Sequence, residues 1–556
     1  MPAVKVPVKV QKRSAFNKSH VHQLSSNVGT ITPILIDEVI PNSTVRLRIN
    51  LGASMPPLAS DAYMKCDVAV EAFFIPLRLC YGGFEAFFCQ REDNYYSVDQ
   101  VVSMPAYMPV VQVDLTEESG SPVILNQFGV RGLPDFLGFS GSAYNHRLVE
   151  LNPLPFIAYH LVWQHFYRNP LVEKECFARL QFIQDVSPSP RSPYAAGSLP
   201  FLTITESANR ILGLGTGSDP APYLLADDVS MFALRQRNFD FDYFTNSFPT
   251  PTLGEETKVI PSQDGSFTIA QLRLANAMAD FQNTNQIAGT RYNDTLKARY
   301  GASLHDGVAQ RPVCLGSCRY NVYNKSLQVN AQNVPVQGLL GNSQWPEYAG
   351  GAGGVMGNAY ASGSDLIIDN FTANEPGYIL VNATLVPQVT YATATDRLLT
   401  RYRAPQPLAD MANARFQGVG NQPVFQYELT GDISDIDEDE SHIFGYTDRY
   451  ADWMTKHDRV SGLLRGGRNL GFMVAQRAFL PSHNPQINSS FLKIPSSYLD
   501  NVFSFSDNSS NYGYWLECAF DYTVIMPLAQ YSIPSLVDPA QEHGDTFMIH
   551  RGGFRF

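Results

Sequence analysis

The chain has 556 residues, of which 44% are apolar and only 17% are charged, and its net charge is −12. This composition allows a large buried core, and the negative charge argues against a protein whose whole surface binds nucleic acid. No apolar stretch of signal-peptide length opens the sequence, and no run of about eighteen apolar residues predicts a membrane span. A weakly charged surface favours a protein that contacts copies of itself.

The N-terminus is basic, although the chain as a whole is acidic. No acid precedes Asp37, and five cations do, which are Lys5, Lys9, Lys12, Arg13 and Lys18. We predict a basic N-terminal arm over residues 1–30. Its charges can bind DNA phosphates and release counterions. Alternatively, the arm can bind neighbouring subunits and hold them together, which we call lacing. We take the five cations as DNA-facing by hypothesis, and lacing stays open as the alternative.

Apolar and polar residues alternate in two widely separated regions, 31–110 and 377–540. Such alternation predicts strands that each bury one face. The clearest stretches are 45–50, 67–72, 379–385 and 518–524. Strands at both ends of one chain predict a single sheet structure closed from distant segments. We therefore expect a mainly β fold, a single eight-stranded antiparallel jelly roll over residues 1–556 with long loop and helical insertions.

Residues 111–376 are predicted to form these inserted helices and surface loops. The stretch "LPFIAYHLVWQHFYRNP" (154–170) is bounded by prolines and has an apolar stripe at helical spacing, made of Tyr159, Val162, Trp163 and Phe166. This pattern predicts a buried packing helix. The two histidines of the stretch, His160 and His165, are five residues apart and would diverge on a helix. We interpret them as core or interface hydrogen-bonding residues and not as a metal pair.

A second helical pattern covers residues 267–300, with apolar positions at Ile269, Leu272, Leu274, Ala277 and Met278. A glycine at 289 is expected to divide it into two helices. Long irregular stretches at 186–198 and 338–365 are rich in Pro and Ser or in Gly. Loops of this length in a compact protein are usually functional or mobile.

No motif nominates a catalytic residue, a metal site or a cofactor. The spacing of "CLGSC" (314–318) lacks a second ligand pair for zinc, and "GLGTG" (213–217) lacks the dinucleotide-binding spacing. The acidic run at 432–440 does not fit a calcium-binding loop, and "GFSGS" (138–142) is not a nucleophile elbow. The seven cysteines are odd in number and scattered, which predicts free thiols and folding in a reducing compartment.

The C-terminus, "HRGGFRF", combines Arg551 and Arg555 with Phe554 and Phe556. Arginine and aromatic residues together can grip single-stranded nucleic acid by charge and stacking. The same tail could instead tie down a neighbouring subunit through its phenylalanines. A second RGG sequence, at 465–467, is a weak signal by itself.

Several segments, taken together and in order, resemble the major capsid protein of microviruses, and most closely that of the gokushovirus branch. The similar segments are "RSAFNKSH", "FFIPLRL" (73–79), "LPFIAYHLVWQHFYRNP", "LRQRNFDFDYFTNSFPTP" (234–251), "TIAQLRLANAM", "GTRYNDTLKARYG", "QRPVCLGS", "FGYTDRYADW" (444–453) and "MPLAQYSIPSLVD" (526–538). They touch most of the chain. One such segment is a weak signal, whereas the ordered set is specific.

The resemblance implies a viral capsid jelly roll that self-assembles in sixty copies into a T=1 icosahedral shell around a circular single-stranded DNA phage genome. It implies no catalysis. The implied partners are the genome, a small basic DNA-binding peptide, a pilot protein and a host cell-surface receptor. The implied location is the virion, with assembly in the host cytoplasm.

The sequence departs from the gokushovirus pattern after the "DYFT" segment. Only the residues from Thr252 to Ser266 fill a gap in which gokushoviruses commonly carry a long insertion. No large three-fold spike is expected from that position, and residues 185–230 are expected to supply surface relief instead. A carbohydrate-binding or carbohydrate-active jelly roll is the alternative function, and it would need paired carboxylates in a groove lined by aromatic residues.

Overall fold

The computed structural model describes most of the barrel and its main helices. The described residues are 13–56, 63–81, 84–88, 94–96, 101–103, 111–114, 127–139, 148–176, 181–182, 202–203, 227, 229–251, 268–288, 296–298, 300–301, 310–328, 355–362, 366–400, 421–433, 442–503 and 513–528. None of the helices in these ranges is long and apolar enough to cross a membrane.

Ten strands form the main sheet, and the other strands form small two-stranded sheets. In chain order the strands are β1 (Ser14–Asn17), β2 (His20–Ser26), β3 (Thr32–Val39), β4 (Ser43–Ser54), β5 (Cys66–Pro76), β6 (Asn94–Tyr96), β7 (Val101–Ser103), β8 (Val111–Asp114), β9 (Leu148–Leu151), β10 (Gln181–Phe182), β11 (Leu202–Thr203), β12 (Val313–Gln328), β13 (Val355–Ser362), β14 (Leu366–Ala373), β15 (Gly377–Pro387), β16 (Asn421–Phe425), β17 (Ile443–Asp448) and β18 (Tyr514–Met526).

The helices in the described part of the chain are mostly short. They are α1 (Leu77–Cys80), α2 (Phe84–Phe88), α3 (Leu133–Phe136), α4 (Leu154–Val162, continued by a π-helical turn Trp163–Tyr167), α5 (Ile269–Ala288), α6 (Gln426–Thr430), α7 (Ala451–Met454) and α8 (Ser489–Leu492). The 3₁₀ turns are Arg397–Leu399, Gly462–Leu464, Gly471–Met473, Pro481–His483 and Asp500–Val502.

The main sheet runs in the order β1-β18-β4-β13-β12-β5-β15-β3, with β14 also on β4 and β2 also on β18. All its ladders are antiparallel. This arrangement confirms the mainly β, antiparallel fold of jelly-roll type that the sequence predicted. The expected count of eight strands is not confirmed, because the described sheet contains ten.

Strands from opposite ends of the chain pair directly. β4 and β18 are neighbours, with Leu47 opposite Tyr522 and Ile49 opposite Phe520. Along both strands buried and exposed residues alternate, as the sequence predicted. Their apolar faces lie in one core cluster, which the inward residues of β5 and β15 also join. The core is therefore closed by segments that lie more than 400 residues apart in the sequence.

The prediction of one buried face is wrong for β15, because all eleven of its residues are buried. One face, with Ile379 and Val381, lies in the barrel core. The opposite face, with Tyr378 and Leu380, belongs to a second apolar cluster that contains α4 and α1. The sheet thus has a covered outer face at β5 and β15 and an open outer face at β4 and β18. The covering helix is the "LPFIAYHLVWQHFYRNP" segment.

The barrel extends into regions that the sequence assigned elsewhere. β12, β13 and β14 lie within 111–376, where only helices and loops were expected, and β1 and β2 lie within the predicted arm 1–30. A bulge between Cys314 and Gly316 shifts the register of β12, and another irregularity interrupts β14. Such bulges break the alternation on which strand prediction depends. The second helical pattern begins at Ile269 and ends at Ala288, just before Gly289, and residues 296–298 are helical again.

Candidate functional site

The packing helix α4 lies between the sheet and the segment 231–235. Tyr159, Val162 and Trp163 are buried, and Phe166 is half-buried at the edge of the cluster, where its ring lies 4.7 Å from that of Phe73 on β5. The Tyr159 hydroxyl donates to the carbonyl of Ile31 at 2.7 Å. The aromatic stripe therefore joins the helix to β5 and to Ile31, the residue that precedes β3.

The fully buried His160 is a hydrogen-bonding residue of this helix. Its Nδ1 accepts from Nε of Arg235 at 2.9 Å, and its Nε2 lies 2.8 Å from the carbonyl of Met231. Because Nδ1 accepts, the proton must lie on Nε2, which donates to Met231. Burial, and then the nearby Arg235 charge, lower the pKa of His160 well below its ordinary value. The imidazole is therefore neutral in the folded protein. His165 is half-buried on another side of the helix.

Arg235 holds the helix and the following segment together. Its guanidinium forms a two-pronged ion pair with Asp227 and lies 4.2 Å from the centroid of the Trp163 ring. Both charged side chains are almost completely buried, at 4% and 7% exposure. A buried pair of this kind is stabilising only while both partners are present. This network is structural and offers no free acid or base.

Three of the described thiols, Cys80, Cys314 and Cys518, are not activated nucleophiles. Six of the seven cysteines lie in the described ranges, and all six are free. Burial raises the pKa of Cys80 and of Cys518 to about 12, and it also raises the pKa of the exposed Cys314. These three are protonated at neutral pH and do not supply a thiolate.

The remaining motifs yield no ligand site in the described part of the chain. Within those ranges no three His, Cys, Asp or Glu side chains come together in a way that could hold a metal ion. Cys314 and Cys318 lie on β12 next to the bulge. Residues 213–217, 252–267 and 434–441 are outside the described ranges, and so is most of 185–230.

The predicted DNA-facing residues are only partly described. Arg13 donates to the Thr44 hydroxyl at 2.8 Å, and Lys18 forms an ion pair with Asp37 at 2.6 Å. The other five, Lys5, Lys9, Lys12, Arg551 and Arg555, are outside the described ranges. Their attachment points are nevertheless adjacent, because Ser14 on β1 lies opposite Met526 on β18. The described chain therefore enters and leaves the sheet at one corner, and Arg551 follows 23 residues after Leu528, the last described residue.

Helix α5 exposes an unusual amount of apolar surface. Its large apolar residues remain 37–70% exposed, and they are Ile269, Leu272, Leu274, Met278 and Phe281. On a helix Leu274, Met278 and Phe281 share one face, whereas Ile269 and Leu272 point to another. A helix with exposed apolar residues on two sides is typical of a protein that buries this helix against other molecules.

A groove of about 850 Å³ lies at the end of the sheet where β5 begins and β15 ends. We call it the acid groove, and its charged lining residues are Lys65, Asp67, Asp240, Asp242, Lys456 and Asp458. Its four aspartates face three cations, the two lysines and Arg319, so the groove carries a net charge of −1. Arg319 binds Asp240 through two hydrogen bonds of 2.7 and 2.9 Å and lowers its pKa. An apolar groove of about 550 Å³ adjoins it and shares Lys65, Cys66, Val322, Gln388 and Asp458.

The family of the chain is shown by comparison with known proteins. Residues 4–536 match the family described as capsid protein (F protein). The chain belongs to this capsid protein family. It is thus a structural major capsid protein of the kind found in microvirus-like bacteriophages, and the resemblance inferred from the ordered motifs is confirmed.

Three curated relatives support this assignment over almost the whole chain. Capsid protein VP1 of Chlamydia phage 1 is 23% identical, and the alignment covers 96% of this chain and 97% of that protein. Capsid protein VP1 of Bdellovibrio phage phiMH2K is also 23% identical, with 94% and 95% covered. Capsid protein VP1 of Spiroplasma virus 4 is 21% identical, again with 94% and 95% covered.

Sequence reasoning found the packing helix of the capsid protein but missed its charged surface features. The acid groove is built from five segments that are far apart in the sequence. No local motif therefore predicts it. The RGG at 465–467 was noted, but the exposed apolar residues beside it were not, and these are Leu463, Leu470 and Phe472. The available signal was that these apolar residues alternate with two arginines and three glycines between positions 463 and 472.

Proposed function

We propose that sixty copies of this capsid protein form a closed T=1 icosahedral shell around a circular single-stranded DNA genome, and that the protein catalyses nothing. The observation that carries the shell is the exposed apolar surface of α5, with Leu274 66% exposed. A monomer gains nothing from such a surface, whereas a subunit buries it against its neighbours. The antiparallel sheet then serves as a rigid scaffold, and loops contact sister subunits across symmetry axes.

We propose that the genome contacts the basic segments that start at the Ser14–Met526 corner. The segment with Lys5, Lys9 and Lys12 precedes Ser14 directly, and the segment that leads to Arg551 and Arg555 follows Met526, which lies opposite Ser14. Charges concentrated in one place release counterions from the same stretch of DNA. Of the described cations, Arg13 fits this role better than Lys18, because Asp37 already neutralises Lys18.

The other partners follow from the same proposal. A small basic DNA-binding peptide and a pilot protein share the interior with the genome, and a host cell-surface receptor binds outside. The protein is made and assembled in the host cytoplasm before it becomes part of the virion.

Deletion of residues 1–12 tests the DNA contact while sparing β1 and the Lys18–Asp37 ion pair. A matched full-length variant carries Lys5→Gln, Lys9→Gln and Lys12→Gln, so it loses charge without losing length. We expect intact particles with less packaged DNA in both. Unchanged DNA content in intact particles of both variants would refute the DNA role. Normal packaging in the glutamine variant combined with failed assembly of the deletion would instead support an arm that laces subunits.

A further inference from the structure

Residues 461–473, which we call the arginine loop, form a compact projection that holds its own shape. The backbone N–H of Leu470 donates to the carbonyl of Leu463 at 3.1 Å and closes the loop. The side-chain amide of Gln476 lies inside the closed loop and binds its backbone. Its Nε2 donates to the carbonyls of Leu464 and Gly471, each at 3.0 Å, and its Oε1 accepts from N–H of Gly466 at 2.9 Å. A loop fixed in this way loses little conformational entropy when it binds.

The arginine loop presents both charge and apolar surface to the outside. It contains Arg465 and Arg468 and no acid. Both arginines are exposed, and within the described ranges neither has a carboxylate at ion-pair distance. Leu463 and Phe472 are 60% and 43% exposed. Arginine and aromatic residues on a rigid projection are the composition typical of an interaction hot spot.

The acid groove has the complementary properties. Asp242 and Asp458 line it beside Arg319, which pairs with Asp240 and also lies 3.8 Å from the Asp67 carboxylate. One arginine thus serves two of the four carboxylates, and a second cation entering the groove would be attracted to the remaining negative charge. We propose that the arginine loop of one copy docks into the acid groove of a neighbouring copy, with its leucines and Phe472 on the adjoining apolar groove. This proposal rests on the proposed assembly of many copies.

The contact has to be made between copies, because the loop does not fill the groove of its own chain. Ser461 and Leu464 form one wall of the adjoining apolar groove, yet Leu463 and Phe472 point away and stay exposed. A contact between two different surfaces of the same chain generates a ring or a closed shell when its rotation closes. Each subunit carries both the loop and the groove, so the same contact can be repeated from subunit to subunit around a symmetry axis.

Protein is favoured over DNA as the occupant of this surface. DNA phosphates would satisfy Arg465 and Arg468, but they would be repelled by the aspartates next to the loop, among them Asp458. Exposed leucines gain from burial against apolar protein surface and gain little from a phosphate backbone. A sister subunit satisfies both parts of the loop at once.

Charge reversal tests the docking. We expect a variant with Arg465→Glu and Arg468→Glu to lose particle yield by about tenfold or more, because like charges then face each other in the contact. Its unfolding midpoint should be unchanged. A variant with Lys174→Glu and Lys297→Glu makes the same charge change at exposed sites on other elements and should assemble normally. Adding Asp67→Lys and Asp458→Lys to the first variant should restore yield. Normal assembly of the first variant would overturn the proposal.

Photo-crosslinking identifies the occupant directly. Phe472 is replaced by p-benzoylphenylalanine, and crosslinked chains are separated by size and mapped by mass spectrometry. We expect a two-chain product joined to peptides that line the adjoining apolar groove, such as those that contain Tyr63, Thr390 or Leu499. Crosslinks to other peptides, to the same chain alone, or to DNA would overturn the docking. The crosslink can form in an oligomer of any size. Particles of an unexpected mass would therefore refute the sixty-copy shell without refuting this contact.

Discussion

Nε of Arg235 donates to Nδ1 of His160 over 2.9 Å, in the buried layer between α4 and the segment 231–235. The two residues are 75 positions apart, and neither is exposed. This hydrogen bond fixes the tautomer of the histidine and orients the arginine for its ion pair with Asp227. It shows that the histidine-rich helix is a packing element of the capsid subunit.

Replacement of Arg235 by methionine should strongly destabilise the subunit. The variant keeps much of the apolar volume but leaves the Asp227 carboxylate buried without its cation. We expect the free energy of unfolding to fall by about 3–5 kcal/mol, which is the usual effect of breaking a buried ion pair. Chemical denaturation measures the change. Arg273→Met on the exposed face of α5 is the control and should change stability by about 0.5 kcal/mol or less.

His160 should make the protein sensitive to acid. Its pKa is lowered in the folded state, so below about pH 6.5 the unfolded chain binds a proton that the folded chain does not bind. Stability is then lost as the pH falls, by about 1.4 kcal/mol per pH unit from this residue. Unfolding curves of the wild type and of His160→Gln between pH 7 and pH 5 measure the difference. A glutamine variant that loses stability with acid as steeply as the wild type would contradict this role.

Gly513 should be indispensable for joining the two chain ends. Its φ is +57°, and an added Cβ would lie 1.9 Å from the carbonyl oxygen of Ser26 on the neighbouring strand β2. We expect Gly513→Ala to cost more than about 3 kcal/mol, because strain and a backbone clash act together. Gly138 also has a positive φ, +99°, but has open space around it. If Gly513→Ala and Gly138→Ala lose the same stability, the clash with the Ser26 carbonyl adds no cost, and the prediction is wrong.

Charges on α5 should block assembly without unfolding the subunit. Leu274→Glu combined with Phe281→Glu removes apolar surface that is exposed in the single chain. We expect soluble, folded protein with an unchanged melting temperature and a loss of sedimenting particles. Asn276→Glu, at another exposed position of the same helix, should assemble as the wild type does. Normal particles from the double variant would remove α5 from the subunit contacts.

The sequence predicts those strands in which the alternation of apolar and polar residues matches the faces that are buried and exposed. β4 and β18 alternate cleanly because only one of their faces is buried, so both could be predicted. β12 could not, because its bulge shifts the alternation by one residue. The burial of both faces of β15 was hidden by Asn382 and Thr384, which are polar and yet buried beneath the helical layer.

Some features of the candidate site could likewise be predicted from local sequence, and others could not. The stripe on α4 is local, so its spacing was readable, and His160 was correctly taken for a hydrogen-bonding residue. Its partner Arg235 and the acid groove depend on contacts between distant segments, and a single sequence does not record which segments meet. The basic termini were visible as charge, whereas their common origin at the Ser14–Met526 pair required the sheet register.

The mass of the particle formed by the purified protein tests the central claim most directly. Sixty copies of a 61.7 kDa chain give a closed shell of about 3.7 MDa. Light scattering coupled to size-exclusion chromatography, or native mass spectrometry, should find this species with icosahedral particles in electron micrographs. A protein that stays at 61.7 kDa, or that forms only open aggregates of variable mass, would contradict the account.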